Sequence, residues 1–230
     1  MADRPILFGG PMVRAILDGR KTQTRRVIKP YDSVLHPFQG GKPSPDLVMV
    51  PVPARLGGMM PGPTFRLPYA PGDRLWVREA WRTLHTNDCL APRHLAADPS
   101  KVTFEADPEN RNPLWAFGRL RPSMFMPRWA SRLTLIVTDV QVQRLHEMTN
   151  LDARAEGVVR NNVVDTRVPL PLWSVRGTDA GGPHPHDAFA ALWDSLNADR
   201  GFGWDANPWV CAVTFTVRKS NIDQLETANG

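Results

Sequence analysis

The chain has 230 residues, 42% of them apolar, with 23 prolines and 17 glycines. This supplies one core but not uniform secondary structure, so a single domain interrupted by long irregular loops is expected. Two cysteines far apart, Cys89 and Cys211, without a CxxC spacing, and no window resembling a membrane span, exclude a disulfide framework, a cysteine-rich zinc site and a membrane protein; a soluble cytoplasmic protein is expected.

The formal charge of +5 is concentrated near the N-terminus. Residues 14–29 hold six cations (Arg14, Arg20, Lys21, Arg25, Arg26, Lys29) against one acid, Asp18, which equals the excess of the whole chain. A local positive field favours an anionic partner such as nucleic acid.

In chain order, RPILFG (residues 4–9) predicts a short strand. Pro11 suits the first turn of a helix whose apolar face is Met12, Val13, Ile16 and Leu17, with Gly19 to end it. TQTRRVI then returns to strand character. Residues 30–68 are rich in proline and glycine and predict an inserted loop. PGDRLWVREAW predicts a turn into a strand with Leu75, Val77 and Glu79 on one side and Trp76, Arg78 and Ala80 on the other. Residues 83–120 predict a second insertion, with a short strand at VTFEA.

Leu133, Leu135 and Val137 alternate, and the phase then shifts to Val140 and Val142, which predicts a bulge or bend. Thr149 or Asn150 can cap a short helix, LDARAE, ended by Gly157. Residues 159–185 predict a third insertion. DAFAALWDSLN is helical, with Phe189, Leu192, Trp193 and Leu196 on one face. The last strand, WVCAVTFTV, puts Cys211, Val213 and Phe215 on one side. Residues 221–230 are expected as a flexible tail.

Two readings of GRKTQTRR (residues 19–26) stay open on the residues alone. It is a solvated basic strand, or a site in which neighbouring cations and burial push Lys21 toward neutrality beside a hydroxyl such as Thr24. Glu156 ends a helix where the dipole disfavours a carboxylate, so an external cation such as Lys21 would explain it; an ordinary surface glutamate is the alternative. FGRLRPSMFMPRWASR interleaves Arg119, Arg121, Arg128 and Arg132 with aromatics such as Trp129. That pattern suits phosphate contact with base stacking, or equally an aromatic core flanked by arginines. His184 and His186 are a weak metal signal, and no metal is assigned. No Walker, GxSxG or HExxH sequence is present.

GRKTQTRR after a short helix, PGDRLWVRE, VQRLHEMTNLDARAEGV and NPWVCAVTF together resemble the ASCH domain, a superfamily with the PUA-like fold, in its phage and prophage branch. The resemblance covers 5–29, 69–82, 124–158 and 186–217, roughly half the chain. It implies an α+β fold: a mixed β-barrel with short flanking helices and long inserted loops, spanning 1–220. It further implies a nucleoside or nucleic-acid ligand, RNA before DNA, in a bacterial or phage-infected cell, and no cofactor. In small amidohydrolases of that family, which deacetylate N4-acetylcytidine, the site is a lysine, a threonine and a glutamate, matching Lys21, Thr24 and Glu156 here. Arg20, Arg25, Arg26, Arg128, Trp76 and Trp129 complete the expected ligand contacts. The chain departs from those enzymes in its greater length and in Arg25, where they have an aliphatic residue. A non-catalytic RNA- or DNA-binding module and a metal-independent ribonuclease are the alternatives.

Overall fold

A computed structural model describes residues 1–30, 47–50, 52–53, 59–107, 117–161 and 172–225. Parts of the three expected insertions therefore lie outside the described residues, as do residues 226–230.

Five strands make the main sheet: β1 (Asp3–Leu7), β2 (Gln23–Val27), β3 (Arg74–Arg78), β4 (Thr134–Arg144) and β5 (Trp209–Arg218). Their spatial order is β1-β3-β4-β5-β2, parallel only between β1 and β3. Among the described residues three α-helices accompany them: α1 (Gly10–Leu17), α2 (Asn150–Ala155) and α3 (Pro185–Asn197). The molecule is thus α+β.

Of the expected mixed β-barrel, the mixed sheet with its short helices is present, without closure into a barrel among the described residues. Among the described residues the sheet is open, with β1 and β2 at its two edges. Pro5 in β1 has no N–H to offer a neighbouring strand, and a proline is tolerated in a sheet chiefly at such an edge. The two edges meet instead through a side chain, Arg26 Nη2 donating to the Leu7 carbonyl at 2.8 Å.

The alternating residues fill the core as their period requires. Ile6, Val13, Ile16, Leu75, Val77, Leu135, Val137, Cys211, Val213 and Phe215 are buried together. The phase shift in β4 is a true irregularity: the register against β5 slips between Val137 and Asp139. A second core gathers Leu145, Ala153, Val158, Phe189, Leu192 and Trp193 around Val210, so β5 is buried on both faces.

Helix α2 is short for independent stability and is fixed at both ends. Thr149 and Asp152 form a reciprocal capping box, with Asp152 N–H donating to Thr149 Oγ1 at 3.2 Å and Thr149 N–H to Asp152 Oδ2 at 2.8 Å. Glu156 closes the helix, and Gly157 leaves it at φ +103°. Beyond it, Val159–Arg160, Trp173–Ser174 and Gly181–Gly182 form a small antiparallel sheet under α3.

The segment expected as a tail is built in at its beginning. Ile222 is fully buried, and Asn221 Nδ2 donates to the carbonyls of Arg128, Trp129 and Ser131 at 2.9, 3.2 and 2.7 Å.

Candidate functional site

The end of α1 and the end of α2 are tied together backbone to backbone. Arg20 and Lys21 N–H both donate to the Ala15 carbonyl (2.8 and 3.0 Å), and Thr22 N–H donates to the Ala155 carbonyl (2.8 Å). Lys21 and Glu156 thereby face each other as an isolated antiparallel bridge. Because β2 begins only at Gln23, Lys21 precedes the strand. Strand alternation, which would send Lys21 and Thr24 to opposite faces, does not apply between them. Both line one cavity of about 450 Å³, together with Arg25, Arg26 and Glu156.

The polar groups here are out of water: Lys21, Thr24, Arg25 and Glu156 are each 3% exposed or less. The Lys21 ammonium makes a very short contact to Glu156 Oε2 and donates to the Glu156 carbonyl at 3.1 Å. Arg25 Nη1 donates to the other carboxylate oxygen at 3.2 Å and to Gln23 Oε1 at 2.6 Å, while Nη2 lies 3.5 Å from Asp152 Oδ2. One buried carboxylate thus serves two buried cations. Burial pushes the Lys21 amine below the usual lysine range; Glu156 opposes that shift, and Arg26 and Arg25 add to it.

Phe8 forms part of the wall, with Lys21 Nζ 5.8 Å and Arg26 Cζ 5.1 Å from its ring centre. Tyr69 lies beside them, and burial raises its phenol above the usual range, keeping it a donor. The opposite wall is the apolar face of α3, Phe189, Leu192, Trp193 and Leu196, with Asn197 and Arg200 at its end. The cavity therefore occupies the gap between the two sheet edges and α3, polar on one side and apolar on the other.

Of the expected ligand contacts, Arg26 lines this cavity while bonded to Leu7, and Arg25 lines it while holding Glu156. The others are placed elsewhere. Arg128 bridges Asp3 and Asp223, both at 2.6 Å. Trp129 packs edge-on against Trp81, with centroids 6.5 Å apart, and Trp76 lies under Arg78 at 5.2 Å. Arg20 pairs with Asp18 at 2.8 Å, donates to the Gly157 carbonyl at 3.3 Å, and lines a separate groove. Two more arginines of that stretch are taken up internally, while Arg119 and Phe125 are exposed. Arg132 binds Glu79 and Asp107, and Arg121 donates to the carbonyls of Leu90 and Asn87.

Sequence reasoning missed Phe8, Tyr69 and Arg200 as lining residues. Phe8 shares the alternation of Ile6, which marks it as buried but not as site-lining. Tyr69 and Arg200 carry no local signal, because only the tertiary approach of their segments places them here. His184 and His186 stack 5.8 Å apart at the start of α3, where His186 bonds Asn150 and Asp187. Among the described residues no group of three or more His, Cys, Asp or Glu is placed to hold a metal ion, and no helix is long and apolar enough to cross a membrane.

Compared with protein-family models, curated proteins and solved structures, the chain matches none of them.

Proposed function

We propose that this chain is an ASCH-type amidohydrolase whose cavity takes an acylated nucleoside, an N4-acylated cytidine, and returns the free base amine and a carboxylic acid. The observation that carries this reading is the buried Lys21 amine on the Glu156 carboxylate, in one cavity with the Thr24 hydroxyl. An amine depressed by burial can share its proton with the neighbouring carboxylate, and a pair so coupled acts as base and acid together.

In this scheme the reactive form has a neutral Lys21 amine and a protonated Glu156. Lys21 takes the Thr24 hydroxyl proton as Oγ1 forms a bond to the acyl carbon. The tetrahedral oxyanion then collapses, the C–N bond breaks, and Glu156 gives its proton to the leaving N4 amine. Water next attacks the acyl-threonine, passing one proton to Glu156, while Lys21 returns its proton to Thr24 Oγ1. The side chains end as they began, and one water is consumed in cleaving one amide to the free amine and a carboxylic acid.

The internal pairing of Arg121, Arg128 and Arg132 supports a nucleoside-sized ligand over a polymer laid across that stretch. The test is incubation with N4-acetylcytidine, reading cytidine and acetate by chromatography. Lys21→Ala is expected to lose at least about 100-fold in kcat/KM, within the range typical of general acid–base residues. Unchanged turnover in Lys21→Ala would sink the catalytic assignment.

A second reading is a non-catalytic binding module. It is favoured by the saturation of Glu156 with two cations, which suits a structural clamp. Wild-type protein that binds the nucleoside without cleaving it would establish that reading instead.

A further inference from the structure

We propose a second ligand site beside the Lys21–Glu156 bridge: a groove that binds a nucleoside phosphate, phosphate on its arginines and base against Trp173. The groove encloses about 480 Å³ and is lined by Arg20, Arg154, Val158, Val159, Arg160 and Trp173, sharing no lining residue with the cavity. It goes beyond the hydrolase reading and does not depend on it.

Among the described residues, three guanidinium groups and no carboxylate make up the charged lining. Arg20 is neutralised by Asp18. Arg154 and Arg160 are exposed and have no carboxylate partner among the described residues. Arg160 stands directly opposite Trp173 in an antiparallel pair, so both side chains emerge on one face of that small sheet. Arg154, in the last turn of α2, brings its guanidinium to 6.0 Å from the Trp173 ring centre, the outer limit of a cation–π contact. Like charges gathered side by side repel, and an anion bound among them relieves that cost.

The aromatic and apolar part of the groove decides what kind of anion. A bare phosphate would use the arginines and leave Trp173 and the Val158–Val159 floor uncovered. An acidic peptide would likewise gain nothing from the indole face. A phosphate ester carrying a nucleobase uses both, because arginine meets phosphate through two parallel hydrogen bonds and any base stacks on an aromatic ring. A free nucleotide and one unit of a single strand share this chemistry.

The test is fluorescence polarisation of the full chain with a fluorescein-labelled ten-nucleotide RNA, competed by CMP, by inorganic phosphate and by a polyglutamate peptide. Arg154→Ala/Arg160→Ala is expected to weaken binding at least tenfold at low salt. The slope of log affinity against log salt should fall by about 1.4, at about 0.7 per phosphate contact on a single strand. Trp173→Ala is expected to weaken binding about 5- to 150-fold, the range for loss of one stacked base. Arg160→Glu, a single exposed change, keeps the test sharp should the double variant fold poorly. Competition by CMP at matched phosphate concentration identifies the free nucleotide as ligand, and competition by the unlabelled strand alone identifies the strand. The proposal is overturned by absence of RNA and CMP binding, by a double variant that binds like wild type, or by polyglutamate or phosphate competing as well as the nucleotides.

Discussion

Glu156 carries more of the buried charge balance than Lys21 does. It neutralises both Lys21 and Arg25, whereas Lys21 has Glu156 as its only acidic partner among the described residues. Removing one member of a buried pair leaves the other charge uncompensated, at a cost of about 3–5 kcal/mol. Glu156→Ala strands Lys21 and leaves Arg25 with only the longer Asp152 contact, and should lie near the top of that range in urea unfolding. Lys21→Met leaves Glu156 on Arg25 and should cost less. Equal costs would mean that Arg25 does not share the carboxylate. The lysine also adds a pH signature. Its folded pKa is depressed, so between that value and the ordinary 10.5 the unfolded chain binds the extra proton, and stability rises with pH. The stability difference between wild type and Lys21→Met should therefore shift in favour of wild type as pH climbs toward 10.5, and stay flat below the folded pKa.

The site depends on how α2 stops. Gly157 turns the chain at φ +103°, and a Cβ there would sit 3.1 Å from Ala15 Cβ and 3.6 Å from Lys21 Cβ. Gly19, at the end of α1, also has positive φ (+72°), but a Cβ there would meet nothing within 4 Å. Gly19→Ala should thus cost only the backbone term, about 1–2 kcal/mol. Gly157→Ala should cost more and also lower any turnover, since crowding pushes apart the two helix ends that bring Lys21 to Glu156. Thermal melts of the two variants, alongside the N4-acetylcytidine assay, decide this; a Gly157→Ala protein as stable as Gly19→Ala, and with the same turnover, would refute the crowding argument. These same elements mark what was legible in the chain. The helix α1 with its glycine stop, the Thr149 cap, the face of β3 and the slip in β4 were all readable, because each is written in local period and capping chemistry. The openness of the sheet was not, since edge pairing joins residues distant in sequence. Nor was the pairing of Arg128 and Arg132 with carboxylates, because Asp3, Glu79, Asp107 and Asp223 come from four separate stretches.

Leaving β1 and β2 unpaired gives the molecule its cavity. A ladder between those edges would fill the gap that Pro5, Leu7, Thr24 and Arg26 now line, and α3 supplies the missing wall from the far end of the chain. The cavity is thus made from the N-terminal strand–helix–strand unit and a helix packed on the second core, with β5 buried against both cores. A ligand bound there touches both cores and has no site in the unfolded chain, so binding must stabilise the whole fold by mass action. At a concentration of 100 Kd the gain is about 2.7 kcal/mol. For a chain of this size, 1 kcal/mol corresponds to about 2–4 °C, so the melting temperature should rise by about 5–11 °C. The measurement uses Thr24→Ala, so that N4-acetylcytidine persists during the scan, with cytidine as the product comparison. Adding Leu196→Glu, which puts a charge on the apolar wall, should reduce the shift by weakening the fit. A Thr24→Ala protein whose melting temperature ignores millimolar N4-acetylcytidine and cytidine alike would mean that the gap between the edges is not a nucleoside site.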